Sequence, residues 1–213
     1  MRRISLLAAG LFSISAVHAQ IDRGTTLLGS DVMFEKATDK RDGDPHANTR
    51  TVYYITPSIG RAISDDLVAG VRLLYGYSVQ KNYSTTASIS KNSSYGAGLF
   101  IRRYKKVAGG LNVFLEARLQ GLYQYYTQAD RSTGVVYQNN KTYNVIAGLN
   151  PGLAYAATRR IWLEIALQNL IYAQYQHTRG EGDGMPGSTG NDFAISTAFN
   201  SIPISLGFKI LLD

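Results

Sequence analysis

The sequence predicts an all-β fold: an eight-stranded antiparallel up-and-down transmembrane β-barrel with short periplasmic turns and long extracellular loops. Three observations carry this reading. Tight turns at Ser64 to Asp66, Lys106 to Gly110 and Thr158 to Arg160 alternate with long polar stretches at Ala37 to Arg50, Lys81 to Ser93, Thr127 to Lys141 and Gln176 to Asn191, the connection pattern of a membrane-spanning barrel. The segments between them alternate apolar and polar residues and approach or exceed ten residues, against about five or six for an ordinary globular strand. Only 17% of residues are charged, against about 25% in soluble domains, and most of those fall in turns and loops.

The N-terminus comes first. Arg2 and Arg3 precede an apolar run from Ile4 to Val17, and Val17-His18-Ala19 supplies small residues where a signal peptidase needs them, so residues 1–19 read as a secretory signal cleaved after Ala19. The run is shorter than the ~20 residues of a membrane-spanning helix. Residues 20–213 then form one barrel domain. Loss of Arg2 and Arg3 lowers the net charge from +7 to +5. The remaining base gathers at Arg61, Arg102, Arg103, Lys105, Lys106, Arg159 and Arg160, at or beside the tight turns with Asp65 and Asp66. Basic residues there suit anionic lipid headgroups better than nucleic acid. The chain has no cysteine, which excludes disulfides and thiolate metal sites.

The strands follow in order: Thr25 to Lys36, Thr51 to Ile63, Leu67 to Gln80, Ser94 to Lys105, Leu111 to Tyr126, Thr142 to Ala157, Ile161 to Tyr175 and Asp192 to Leu212. The fifth has the clearest pattern. Leu111, Val113, Leu115, Ala117 and Leu119 form one face, and Asn112, Glu116, Arg118, Gln120 and Gln124 the other. A soluble lipocalin-like barrel would instead show charge along one strand face. Tyr53, Tyr75, Tyr77, Tyr123, Tyr125, Tyr126, Tyr143, Tyr172 and Tyr175 fall toward the long loops, and Tyr104 and Tyr155 toward the turns, as in the aromatic girdles of a membrane interface. The stretch from Ile55-Thr56-Pro57 to Val71 aligns with that from Leu149-Asn150-Pro151 to Ile165 at an offset of 94 residues, which suggests duplication of a hairpin. Pro57, Pro151 and Pro203 oppose the reading, since proline donates nothing to a ladder; β-bulges are expected at these sites.

The segments ITPSIGRAISDDLVAGVRLLYGYS, SYGAGLFIRRYKK, GLNPGLAYAATRRIWLE and PISLGFKILL together resemble the small outer-membrane β-barrel domain family of Gram-negative bacteria, with OmpA/OmpX/OmpW-like barrels as its structural type. The resemblance spans the mature chain. It implies residence in the bacterial outer membrane after secretory export, contact with outer-membrane lipids, and insertion by the barrel-assembly machinery. Barrels of this family usually end in an assembly signal, whose positions Ser205, Gly207, Ile210 and Leu212 occupy here, with Leu212 in place of the usual aromatic and Asp213 after it.

Carrying the hairpin registers across the turns places Asp31, Arg72, Arg102, Glu116, Arg118 and Glu164 on the inward face at similar depth. Three acids and three bases fit a neutral plug, since an eight-stranded interior is just wide enough for side chains to fill and unpaired charge there is expensive. The expected pairs set Arg72, Arg102 and Arg118 against Asp31, Glu116 and Glu164. A paired-carboxylate catalytic site at Glu116 and Glu164 would need access that a filled barrel denies. His177 with Glu181, and His46 with Asp42 and Asp44, read as solvated loop histidines without an oriented nucleophile. Gly180 to Gly184 lacks the alternating oxygen ligands of a calcium loop, and no phosphate loop, HExxH or nucleophile elbow occurs. No cofactor or metal is expected.

The leading functional expectation is a non-enzymatic barrel with a plugged interior, acting structurally or as an adhesion-like surface whose long loops engage an extracellular ligand. A narrow channel or conduit for small apolar molecules, as in OmpW-like barrels, is the alternative, with Gly70, Gly76, Gly96, Gly98, Gly148 and Gly152 supplying inward space. A lipid-modifying enzyme comes third.

Overall fold

The computed structural model describes residues 21–40, 47–82, 87–182, 185–197 and 204–212. The expected signal segment, the His46 loop with Asp42 and Asp44, and Pro203 lie outside the described residues.

The described chain is strand joined by turns, in ten segments: β1 (Thr26–Lys40), β2 (Ala47–Ser64), β3 (Leu67–Asn82), β4 (Ser88–Ala108), β5 (Leu111–Asp130), β6 (Val136–Ala156), β7 (Ile161–Leu167), β8 (Ile171–Gly182), β9 (Met185–Thr197) and β10 (Ile204–Leu212). All pairings are antiparallel. β7 and β8 succeed each other along one side of β6, and β9 and β10 succeed each other beyond them, so ten segments make eight staves. The β5–β6 and β1–β10 pairings close the ring.

Period-two alternation sets the two surfaces. Leu115 and Leu119 on β5, Leu73 on β3, Leu99 on β4, Val145 on β6, Leu163 on β7 and Leu206 on β10 are all exposed, while Asn112, Glu116 and Gln120 are buried. Apolar side chains outside and polar ones within reverse the pattern of a soluble protein. Such a surface is satisfied by lipid, and a ring of paired strands leaves few backbone groups for lipid to strand.

Four features depart from the sequence reading. The first is loop length. β3 runs on to Asn82 and β4 begins at Ser88; β5 runs to Asp130 and β6 begins at Val136. Most of the residues read as long loops therefore continue the ladder. β5 has 20 residues, roughly 65 Å at about 3.3 Å each, well beyond an apolar band about 25 Å tall. Its far half extends beyond the length such a band needs as paired hairpin, held by the Tyr123–Tyr143 ring contact and amide ladders such as Asn144 to Gln124 at 2.8 Å.

The second concerns the prolines. Register shifts occur at Ala62/Ser64, Lys106/Ala108, Gln128/Ala129 and Gly180/Gly182, none of them at proline. The β2–β3 register is unchanged across Pro57, and the ladder omits Thr56 and Pro57. Pro151 pairs with Leu115 of β5; on its other side β6 pairs with β7 up to Gly152↔Ala166 and with β8 from Leu149↔Ile171. The neighbouring stave spends two extra residues there. The irregularity lies opposite Pro151, where its missing N–H has no ladder bond to make, with Asn169 in the left-handed region (φ 54).

The third is Tyr104, which is buried inside the barrel and belongs to no girdle. The outward Tyr53, Tyr75, Tyr125, Tyr143 and Tyr175 are exposed, whereas Tyr126 points inward to Ser90 and Gln128.

The fourth concerns the closing pair. β1 pairs with β10 from Thr26↔Leu212 to Val32↔Leu206. Beyond Val32, the described residues of β1 pair with β2 alone, and β9 pairs with β8 alone. Among the described residues, the pairing of β1 with β10 therefore covers the turn-side half.

Candidate functional site in the barrel interior

The turn end is sealed by apolar side chains. Leu27, Val68, Phe100, Tyr104, Phe114, Trp162 and Leu211 point inward from their strands and pack with Ile21, which lies under the ring and is fully buried. Ile21 is fixed by its carbonyl, which accepts from the Asp66 N–H at 3.0 Å. The residues just after the expected cleavage site are thus part of the seal.

Several inward glycines serve this packing. A methyl at Gly70 would meet the Phe100 ring and the Gly60 backbone, one at Gly152 the Phe114 ring, and one at Gly76 the Tyr54 ring. Gly96 and Gly98 are crowded by Leu122 and Gln120, and Gly148 by Asn169. Neighbouring atoms already fill the space beside these positions, so these glycines serve close packing rather than opening inward space themselves.

Above the apolar seal sits a closed cycle of six charges from six strands. Asp31 on β1 is 3.5 Å from Arg72 on β3. Arg72 donates to Glu116 on β5 at 2.7 Å. Glu116 accepts from Arg102 on β4 at 2.5 Å, and Arg102 donates to Glu164 on β7 at 2.6 Å. Lys209 on β10 completes the cycle, 3.6 Å from Glu164 and 3.1 Å from Asp31. All six side chains are more than nine-tenths buried. Signs alternate around the ring, so each charge has two opposite neighbours and the whole is neutral, which is how an interior tolerates ions at all.

Neutral partners complete the cycle. Arg102 lies over the Phe114 ring at 4.4 Å, a cation–π arrangement, and donates to the Tyr104 hydroxyl at 3.0 Å. Tyr104 in turn donates to Glu164 at 2.7 Å. The Asn150 amide donates to Glu116 at 3.1 Å and its oxygen accepts from the Asn169 backbone at 2.7 Å, which ties the irregular Gln168–Leu170 stretch to the ring.

Five of the six residues singled out in the sequence are in this cycle: Asp31, Arg72, Arg102, Glu116 and Glu164. The sixth, Arg118, is not. Arg118 is buried one level higher, and its guanidinium donates to the side-chain oxygens of Gln168 and Asn169. The cation that replaces it is Lys209, which sequence reasoning missed because the C-terminal strand was read for its assembly pattern. Parity would have found it, since Ser205, Lys209 and Leu211 alternate inward. Arg102 is likewise a buried member of the cycle, not part of the basic rim.

Above the ring lies a cavity of about 370 Å³, lined by Asp31, Arg72 and Arg118 among its charged residues, by Gln120, Gln124, Asn144 and Gln174, and by the apolar Val32, Met33, Leu74, Leu122 and Ile146. Of the loop candidates, His177 is half-buried on β8, with Nδ1 2.8 Å from the Asn191 amide oxygen. The backbone of Glu181 continues β8. Asp130 at the end of β5 accepts from the Ser132 hydroxyl at 2.5 Å and from the Ser132 and Thr133 N–H groups; these bonds, the hydroxyl first, lower its carboxyl to about 2. Ser205, Gly207, Ile210 and Leu212 lie in β10, the strand that closes the ring on β1.

No family model and no curated protein matches the chain. Among solved structures it is similar to a major outer membrane protein from Thermus thermophilus, at 10% identity and a TM-score of 0.49 over 92% of this chain and 100% of that one. It is also similar to Neisserial surface protein A, at 16% identity and a TM-score of 0.36 over 88% and 96% of the two chains.

Proposed function

We propose that this chain is an integral outer-membrane barrel of Gram-negative type whose interior is sealed and whose role is structural or surface-interacting, with the projecting hairpins as the contact surface. The observation that carries this is the six-charge cycle resting on an apolar seal, since together they occupy the lumen at the turn end and cross-link six strands. The apolar exterior supports residence in lipid. Residues 1–19 supply export, leaving Gln20 as the first mature residue, and the β10 pattern Ser205, Gly207, Ile210 and Leu212 addresses the barrel-assembly machinery. Catalysis is not part of this role: His177 contacts an asparagine rather than an oriented nucleophile.

Because the chain has no cysteine, a single Val135→Cys change at an exposed hairpin tip gives a clean test. The variant should fractionate with outer membranes and react with a membrane-impermeant maleimide in intact cells. Recovery in the soluble periplasm would reject the membrane role, and labelling only after lysis would reverse the orientation.

A further inference from the structure

The interior holds one charge more than the cycle needs. Among the described residues, four cations (Arg72, Arg102, Arg118 and Lys209) and three acids (Asp31, Glu116 and Glu164) are buried along the inward face. The cycle uses three of each, so the surplus is the Arg118 guanidinium. It is 8% exposed, bonds to two neutral amide oxygens, and its Nε–H has no partner among the described residues. A guanidinium offers five N–H donors; two are used here. A buried cation with no ion pair of its own is costly, and this one lines the cavity together with Arg72 and Asp31, the last already paired with Arg72 and Lys209.

We propose that this cavity binds a single-chain amphipath with a carboxylate head, the head on Arg118 and the chain along Val32, Met33, Leu74, Leu122 and Ile146. One surplus positive charge calls for a monoanion, and the planar edge of a guanidinium matches the two oxygens of a carboxylate. The apolar wall calls for a hydrocarbon chain, and about 370 Å³ is too little for the two chains of a phospholipid. Val32 and Met33 of β1 line the cavity from one side, and Ser205 at the start of the neighbouring β10 lines it beside them.

The test uses the full mature chain in phosphatidylcholine nanodiscs and ¹³C-carboxyl-labelled dodecanoate, followed by NMR. Wild type should give a saturable bound carboxyl resonance. Arg118→Gln should weaken dodecanoate binding about tenfold or more, the scale of one charge-assisted hydrogen-bonded contact. Gln168→Glu, which supplies the guanidinium with an internal carboxylate, should weaken it comparably. This second variant decides the matter if Arg118→Gln fails to fold. Dodecanoate methyl ester, lacking the charge, and acetate, lacking the chain, should compete poorly. Absence of a bound resonance in wild type, equal competition by the ester or by acetate, or undiminished binding in the folded variants would each overturn the proposal.

Discussion

At the level of single residues, the interior charges behave as a unit. Glu116 accepts from Arg72, Arg102 and Asn150, so Glu116→Ala strands two guanidinium groups and should destabilise the barrel by about 3 to 5 kcal/mol. Replacing Glu116 and Arg102 together by apolar residues should cost less than the two single changes summed, by about 0.5 to 3 kcal/mol. Urea unfolding of the four proteins in lipid vesicles measures the difference; strict additivity would mean that the two side chains do not share an interaction. Asp66, in the turn between β2 and β3, behaves oppositely. Burial raises its carboxyl above the ordinary range, against a backbone hydrogen bond with Ile21, and the neighbouring Asp65 and Asp22 raise it further. A carboxyl raised in the folded state is better tolerated protonated, so stability is lost as pH rises through the range between its unfolded and folded values. Asp66 has φ 60, a conformation asparagine also accepts. Asp66→Asn should therefore raise the melting temperature at neutral pH and leave it unchanged at acid pH, as read by thermal unfolding at both.

At the level of the strand, alternation dictates which residues meet lipid and which meet each other. Leu115 is 50% exposed and Gln120 is 5% exposed on the same strand. Leu115→Arg should cost about 2 to 4 kcal/mol at mid-membrane depth, and vesicle refolding yields measure it; folding as efficient as wild type would place Leu115 outside the hydrocarbon. The strand scale also shows what the sequence could and could not reveal. Period two was legible on β5 because its polar face carries Asn112, Glu116, Arg118 and Gln120, broken only by Phe114. It was less legible beyond Tyr126, where both faces are polar and nothing in the composition separates projecting ladder from loop. The stave formed by β7 and β8 carried no sign of its two extra residues at Gln168–Leu170, because that irregularity answers Pro151 on the facing strand.

At the level of the whole molecule, the barrel is asymmetric along its axis: an apolar seal and a neutral ion cycle close the turn end, while a cavity lies on the loop side. The inward charges of the middle strands were readable from parity across the tight turns, so five members of the cycle were accessible to sequence reasoning. The sixth, Lys209, was equally readable from parity along β10, but its place between Asp31 and Glu164, and the displacement of Arg118 to the level above, follow from how β10 lies against β1 and β7, a closure between the ends of the chain that no local pattern encodes. The sealed lumen is tested most directly by single-channel recording of the wild-type protein in planar bilayers. Insertion with essentially no conductance is the predicted result, and stable, reproducible open steps from the wild-type barrel would contradict it.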